Sequence, residues 1–126
     1  MQRYRRKQET DVIAIELTLD IEELTYRKWG GKQRANRGDW LVNNDGDVYT
    51  VDAKSFAQSY QQTSLGIYKK TSNVWARQAE QPGTIETKEG GTNYEPGDYL
   101  VFNDPDEKDG YAMKPQKFLS LYESME

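Results

Sequence analysis

Neither cysteine nor histidine occurs anywhere in the 126 residues. The first absence removes disulfides, thiol nucleophiles and cysteine-based zinc sites, and the second removes the commonest general base and metal ligand. There is no glycine-rich phosphate loop, no serine nucleophile elbow and no dinucleotide fingerprint. No apolar run approaches the roughly 18–20 residues of a membrane span, and the start MQRYRRKQETD lacks the apolar stretch of a signal peptide. The expectation is a cytoplasmic protein without a membrane partner. Positive charge is short as well. Seventeen Lys and Arg against 21 Asp and Glu leave a net charge of −4, the wrong sign for a general sleeve around nucleic-acid phosphates.

Apolar residues are also scarce, at 35% with a mean hydropathy of −1.01, a balance that by itself leans toward disorder. Nine Tyr, three Trp and three Phe oppose it, many of them in alternating runs. Disordered chains are poor in such side chains. The reading is a folded, polar-surfaced domain, or two very small halves sharing a core.

Residues 37–42 read RGDWLV and residues 96–101 read PGDYLV. The offset is 97 − 38 = 59 here and 111 − 49 = 62 after the following loop, so the second copy carries three extra residues in that loop. Across 37–44 plus 49–60 against 96–103 plus 111–122, eight of twenty positions are identical: Gly38, Asp39, Leu41, Val42, Asn44, Tyr49, Phe56 and Tyr60. In the second copy the motif residues are Gly97, Asp98, Tyr111, Phe118 and Tyr122. Upstream, TYRKWGG faces TIETKEGG, DVIAI faces NVWAR, and YRRK at 4–7 has an echo in YKKT at 68–71. Ordered matches over some 60 residues imply duplication, and two copies imply a pseudo-symmetric pair more than a solenoid.

Each copy reads as strand, strand, hairpin, helix. VIAIEL at 12–17 and VWARQ at 74–78 are the first strands; LTYRKW at 24–29 and TIETK at 84–88 are the second. Between them in the first copy, Asp20 and Glu23 have capping-box spacing, which predicts a short helical turn over 20–24. The Gly-Asp pairs open the hairpins, and Asp45-Gly46 is a strong turn signal. Asp52 suits a helix N-cap, and Pro115 suits a first helical position. Phe56 with Tyr60, and Phe118 with Tyr122, are four apart and form one stripe on each helix, expected to seal its hairpin. The fold class is therefore a β-rich α+β protein. Two tandem pseudo-symmetric units, residues 1–63 and 64–126, form small curved sheets or partly open barrels packed as one globule.

The PGDYLV phrase, Tyr111 and KPQKFLSLYE at 114–123 resemble PGDYG-type modules of phage and bacterial genomes. The first copy departs, with Arg37 for the proline and Trp40 for the tyrosine, and Leu41 and Leu100 stand where the final glycine belongs. The resemblance implies a fold and a phage-associated setting. It carries no catalytic residue.

Several residue groups have two readings. RGDW contains an integrin-type tripeptide, but the second copy has Pro at the Arg position, so a turn is the plainer account. Asp39 and Asp98 are either a carboxylate pair for acid–base work or turn residues capping backbone amides. Asp104, Asp106, Glu107 and Asp109 either hold a hard cation or form a solvated hairpin tip; the spacing is not that of an EF-hand. Tyr4, Arg5, Arg6 and Lys7, with Tyr68, Lys69 and Lys70, form a basic, aromatic groove for single-stranded nucleic acid or an anionic ligand if the two stretches meet. Trp29 and Trp75 are interface anchors or core. With scaffold residues duplicated and no chemistry duplicated between them, the leading expectation is a non-enzymatic module engaging a protein partner, as monomer or homodimer, without cofactor or metal. A nucleic-acid or nucleotide binder comes second and a carboxylate-based hydrolase third.

Overall fold

The computed structural model describes residues 1–7 and 10–126. Among these the strands are β1 (Gln2–Arg6), β2 (Val12–Glu16), β3 (Leu24–Lys28), β4 (Gly31–Ala35), β5 (Trp40–Asn44), β6 (Asp47–Val51), β7 (Tyr60–Ser64) and β8 (Ile67–Lys70). Then follow β9 (Val74–Gln78), β10 (Gly83–Glu86), β11 (Gly91–Tyr94), β12 (Tyr99–Phe102), β13 (Gly110–Met113) and β14 (Tyr122–Ser124). The helices are α1 (Ala53–Ser59) and α2 (Pro115–Leu121). The chain is β-rich, and among the described residues none of its sheets closes into a barrel.

Two five-stranded sheets dominate, with strand orders β6-β5-β2-β8-β7 and β13-β12-β9-β1-β14. Place by place, β6, β5, β2 and β7 of the first are answered by β13, β12, β9 and β14 of the second, and the place of β8 is taken by β1. Sheet membership thus crosses the 63/64 division expected from the sequence. Strand 2–6 lies between β9 and β14, while strand 67–70 lies between β2 and β7. The YRR and YKK echo marks those two strands.

The repeated Gly-Asp phrase is a turn held by the same bonds twice. Gly38 N–H donates to Leu17 O and Leu17 N–H to Asp39 O, both at 2.8 Å; Gly97 and Ala79, then Ala79 and Asp98, repeat the pair at 2.8 Å. Both glycines sit at positive φ, 95° and 93°, which accounts for their presence in both copies. Asp39 Oδ2 accepts from Asn36 N–H at 2.8 Å and Asp98 Oδ2 from Glu95 N–H at 2.9 Å. Asp39 Oδ1 also accepts from Ala53 N–H, and Asp98 Oδ2 also accepts from Lys114 Nζ. Both carboxylates are turn caps.

The expected aromatic stripes form. Phe56 stacks between Trp40 (4.1 Å) and Tyr60 (4.6 Å), with Tyr68 edge-on at 5.1 Å. Phe118 stacks between Tyr99 (4.1 Å) and Tyr122 (5.0 Å), with Tyr4 edge-on at 4.8 Å. Both phenylalanines are buried, each in its own cluster with strand valines and alanines. Asp52 caps α1 by accepting from the Lys54 and Ser55 N–H groups, and Pro115 opens α2.

Three sequence expectations change. No helical turn forms at 20–24: five residues are too few to repay nucleation, and Leu24 enters β3 instead while exposed Asp20 faces Arg37. The strands LTYRKW and TIETK are each half of a hairpin, paired with β4 and β11, which the polar runs GKQRA and GTNY conceal. Each helix runs straight into a further strand, β7 or β14.

The two small hairpins lock together. Arg34 N–H donates to Glu89 O and Asn93 N–H to Trp29 O, while fully buried Gln33 donates to Lys28 O and Gly91 O. A Cβ on Gly31 would fall 2.4 Å from Gly91 O, so the backbones meet only because glycine stands there.

Candidate ligand site between the two sheets

Alternation along β1 and β8 decides where their cations go. Tyr4 and Tyr68 point inward to the aromatic cores, so Arg6 and Lys70, two positions on, also point inward. Arg5 points out and pairs with Glu123 at 3.0 Å; Lys7 and Lys69 are half-exposed. The inward cations open onto a cavity of about 630 Å³ between the two sheets.

Lys70 is 6% exposed. Its Nζ donates to Tyr111 Oη at 3.0 Å and lies 5.4–5.9 Å from the ring centres of Tyr111, Tyr122 and Tyr60. Arg6, equally buried, lies 5.5 Å from the same Tyr122 ring and donates to Asn44 Oδ1 at 3.3 Å and Thr10 Oγ1 at 2.9 Å. Each cation therefore crosses to a polar residue of the opposite sheet. Tyr111 and Tyr122 share a hydroxyl contact at 3.2 Å, and Asn44 Nδ2 donates to Tyr49 Oη. Among the described residues no carboxylate stands within ion-pair distance of Lys70 or Arg6.

Burial works against the Lys70 charge, but the phenol oxygens of Tyr111, Tyr122 and Tyr60 more than restore it and hold its pKa well above the ordinary value. Burial also works against a Tyr122 phenolate; Lys70 and then Arg6 outweigh it and pull that phenol below its usual range.

The rest of the lining mixes the carboxylates of Glu89, Glu95 and Asp109 with Lys114 and with Lys117, whose Nζ donates to Asn44 O at 3.1 Å. Lys88 Nζ donates to Ser55 Oγ at 2.8 Å and stands 3.7 Å from both Asp52 and Asp109. Half-buried Glu89 has its pKa raised to about 7, by burial first and then by Asp52, Asp109 and Asp39. Asn103 Nδ2 donates to Asp109 Oδ2 at 3.1 Å, while its buried Oδ1 has no partner; nor has Oγ1 of buried Thr92.

The two basic-aromatic stretches do meet, though indoors, with Tyr4 and Tyr68 packed edge-on in the cores and only Arg6 and Lys70 facing the cavity. Trp29 also lines the cavity and packs on Tyr49 at 5.7 Å. Trp75 lies on the outer face of its sheet under Arg3. Asp98 lines the cavity wall, but its carboxylate is spent on the turn. In the acidic loop, Asp104 turns back on its own backbone, accepting from the N–H groups of Asp106, Lys108 and Asp109. Among the described residues no three acidic groups are placed to hold a metal ion. Sequence reading missed Asn103, Thr92, Glu89 and Lys117 as site residues. Asn44 and Asn103 were legible as an identical pair in the repeat, and only their use was hidden.

No family model, no curated protein and no solved structure matches the chain. The likeness to PGDYG-type modules rests on its short motif alone.

Proposed function

We propose that the chain is a non-enzymatic binding module. It consists of two copies of one unit, the second completed by β1, with a site for a small anionic ligand in the cavity between the sheets. The observation that carries this reading is Lys70, a buried ammonium facing an aromatic cavity with only neutral partners among the described residues. The surrounding phenols hold the Lys70 charge in place, and with no carboxylate within ion-pair distance of Lys70 or Arg6 among the described residues, an anion in the cavity pairs with both. The volume suits a small molecule. Titration calorimetry with benzoate and with inorganic phosphate tests it: at least one should bind, and Lys70→Met should weaken binding tenfold or more while Lys70→Arg retains it. Absence of binding by both anions would sink the reading.

A protein partner remains a second reading because of one surface. Ile13 and Ile15 are 57% and 64% exposed on the outer face of β2, whereas the corresponding face of the other sheet is covered by Ile85 and Tyr94 of its hairpin. Pull-down from a host lysate should recover a protein with the natural chain and lose it with Ile13→Lys/Ile15→Lys; equal recovery from both ends that idea.

A further inference from the structure

The cavity is not uniformly cationic, and its polarity restricts the ligand further. One end holds Lys70 and Arg6 with no carboxylate beside them among the described residues. The other end gathers Glu89 and Asp109 in the lining with Asp52 close behind, and Lys88 is the cation that stands among them. The ends are joined through one short stretch of chain. Asp109 belongs to the acidic end and Tyr111, which receives Lys70, to the cationic end. Asp109 is the residue just before β13 and Tyr111 the second residue within it, so the two ends follow one another closely along the chain. Between them the walls are aromatic, from Tyr49, Tyr111 and Tyr122.

Orphaned atoms mark the acidic end a second time. Asn103 lines the cavity and uses its Nδ2 on Asp109, and its Oδ1 is a buried acceptor with no donor. Its partner in the repeat, Asn44, receives the Arg6 guanidinium at the matching oxygen. At Asn103 the corresponding cation, Lys70, has gone to Tyr111 instead. A donor is what this oxygen lacks, and at the matching oxygen of Asn44 that donor is a cation. Thr92, another lining residue, has its Oγ1 buried and without a partner as well.

Building on the anion site above, we propose that the ligand is a small zwitterion with a flat apolar body. Its anionic group lies against Lys70 and Arg6, and its ammonium lies among Asn103, Asp109 and Glu89. The field of the cavity runs from the buried cations to the carboxylates, and a molecule carrying the opposite charges at its two ends satisfies both together. An anion alone leaves Asn103 Oδ1 without a donor and Glu89 without an ion-pair partner among the described residues.

The probes are 4-(aminomethyl)benzoate, which carries both charges across one ring, and its two single-charge relatives, 4-methylbenzoate and benzylamine. Calorimetry on the full chain should show the zwitterion binding at least tenfold more tightly than either relative. Asp109→Asn should reduce the zwitterion to the level of 4-methylbenzoate and leave 4-methylbenzoate unchanged. Glu89→Gln is the second variant should Asp109→Asn disturb the 103–110 loop, and a melt of each variant shows that it is folded. Equal affinities for the zwitterion and 4-methylbenzoate would overturn this inference and leave the anion site standing. Binding of benzylamine as tight as that of the zwitterion, or no binding of any probe, would overturn both.

Discussion

The two five-stranded sheets solve one problem by different routes. In β6-β5-β2-β8-β7 every strand comes from the continuous stretch 12–70. In β13-β12-β9-β1-β14 the strand between β9 and β14 is brought from the far end of the chain. Both strands supply the same two groups: a tyrosine edge-on to the core phenylalanine, then a cation into the cavity. A strand position is thus defined by its neighbours and by the alternation of its side chains, and the chain can reach it locally or over a hundred residues. The remote route interlocks the halves, since β1 lies in one sheet and β2 in the other.

The sharpest way to break this comparison is to remove residues 1–7. The second sheet then loses its inner strand, with Tyr4 and Arg6, and β14 loses its pairing partner. The expected loss is on the order of 5 kcal/mol or more, enough to abolish a cooperative melt. A peptide MQRYRRK added in trans should restore part of it by strand addition. A truncated chain that melts like the full one would show that β1 is an accessory.

Next come the phenylalanines. Phe118→Ala and Phe56→Ala should each cost about 3–5 kcal/mol in urea unfolding, because both rings are fully buried between two stacked partners. Costs that agree within about 1 kcal/mol sharpen the comparison, and a gap above about 2 kcal/mol breaks it.

The hairpins differ in charge: 89 − 59 = 30, and Glu89 stands where the first hairpin has Gly30. Its pKa rises from 4.5 to about 7 in the fold, so between those values the folded chain keeps a proton that the unfolded chain has released. Stability therefore falls as pH rises from about 4.5 to 7 and stays lower above. Glu89→Gln should be the more stable protein at pH 8, by on the order of 2 kcal/mol, below the full conversion because the group is half-buried. The difference should vanish below pH 4.5. A constant gap from pH 4 to pH 8 would show that Glu89 does not titrate in that window.

The smallest expected effect lies at the helix starts. Asp52→Ala removes a side-chain cap and should cost about 1 kcal/mol. Pro115→Ala removes a pre-set backbone angle and should cost about 0.4–1 kcal/mol. Comparable losses would mean that two unlike devices start the two helices equally well.

The Gly-Asp turns, the Asp45-Gly46 hairpin, both helices and the aromatic pairs at spacing four are legible in the sequence because they are local, each depending on residues a few positions apart. The strands GKQRA and GTNY were not legible, because their burial comes from hairpins locking through Gln33 and Gly91 and their composition is polar. The cationic residues of the site were visible as YRR and YKK, but as a surface groove. Nothing local told Arg6 from Arg5 until β1 had a sheet on both sides.

Sequence alone, then, determined the repeated turn-hairpin-helix grammar, since short-range sterics and periodicity need no partner. Tertiary structure decided which strand stands beside which and so which cations are buried, because strand pairing and inward facing are set by segments distant along the chain.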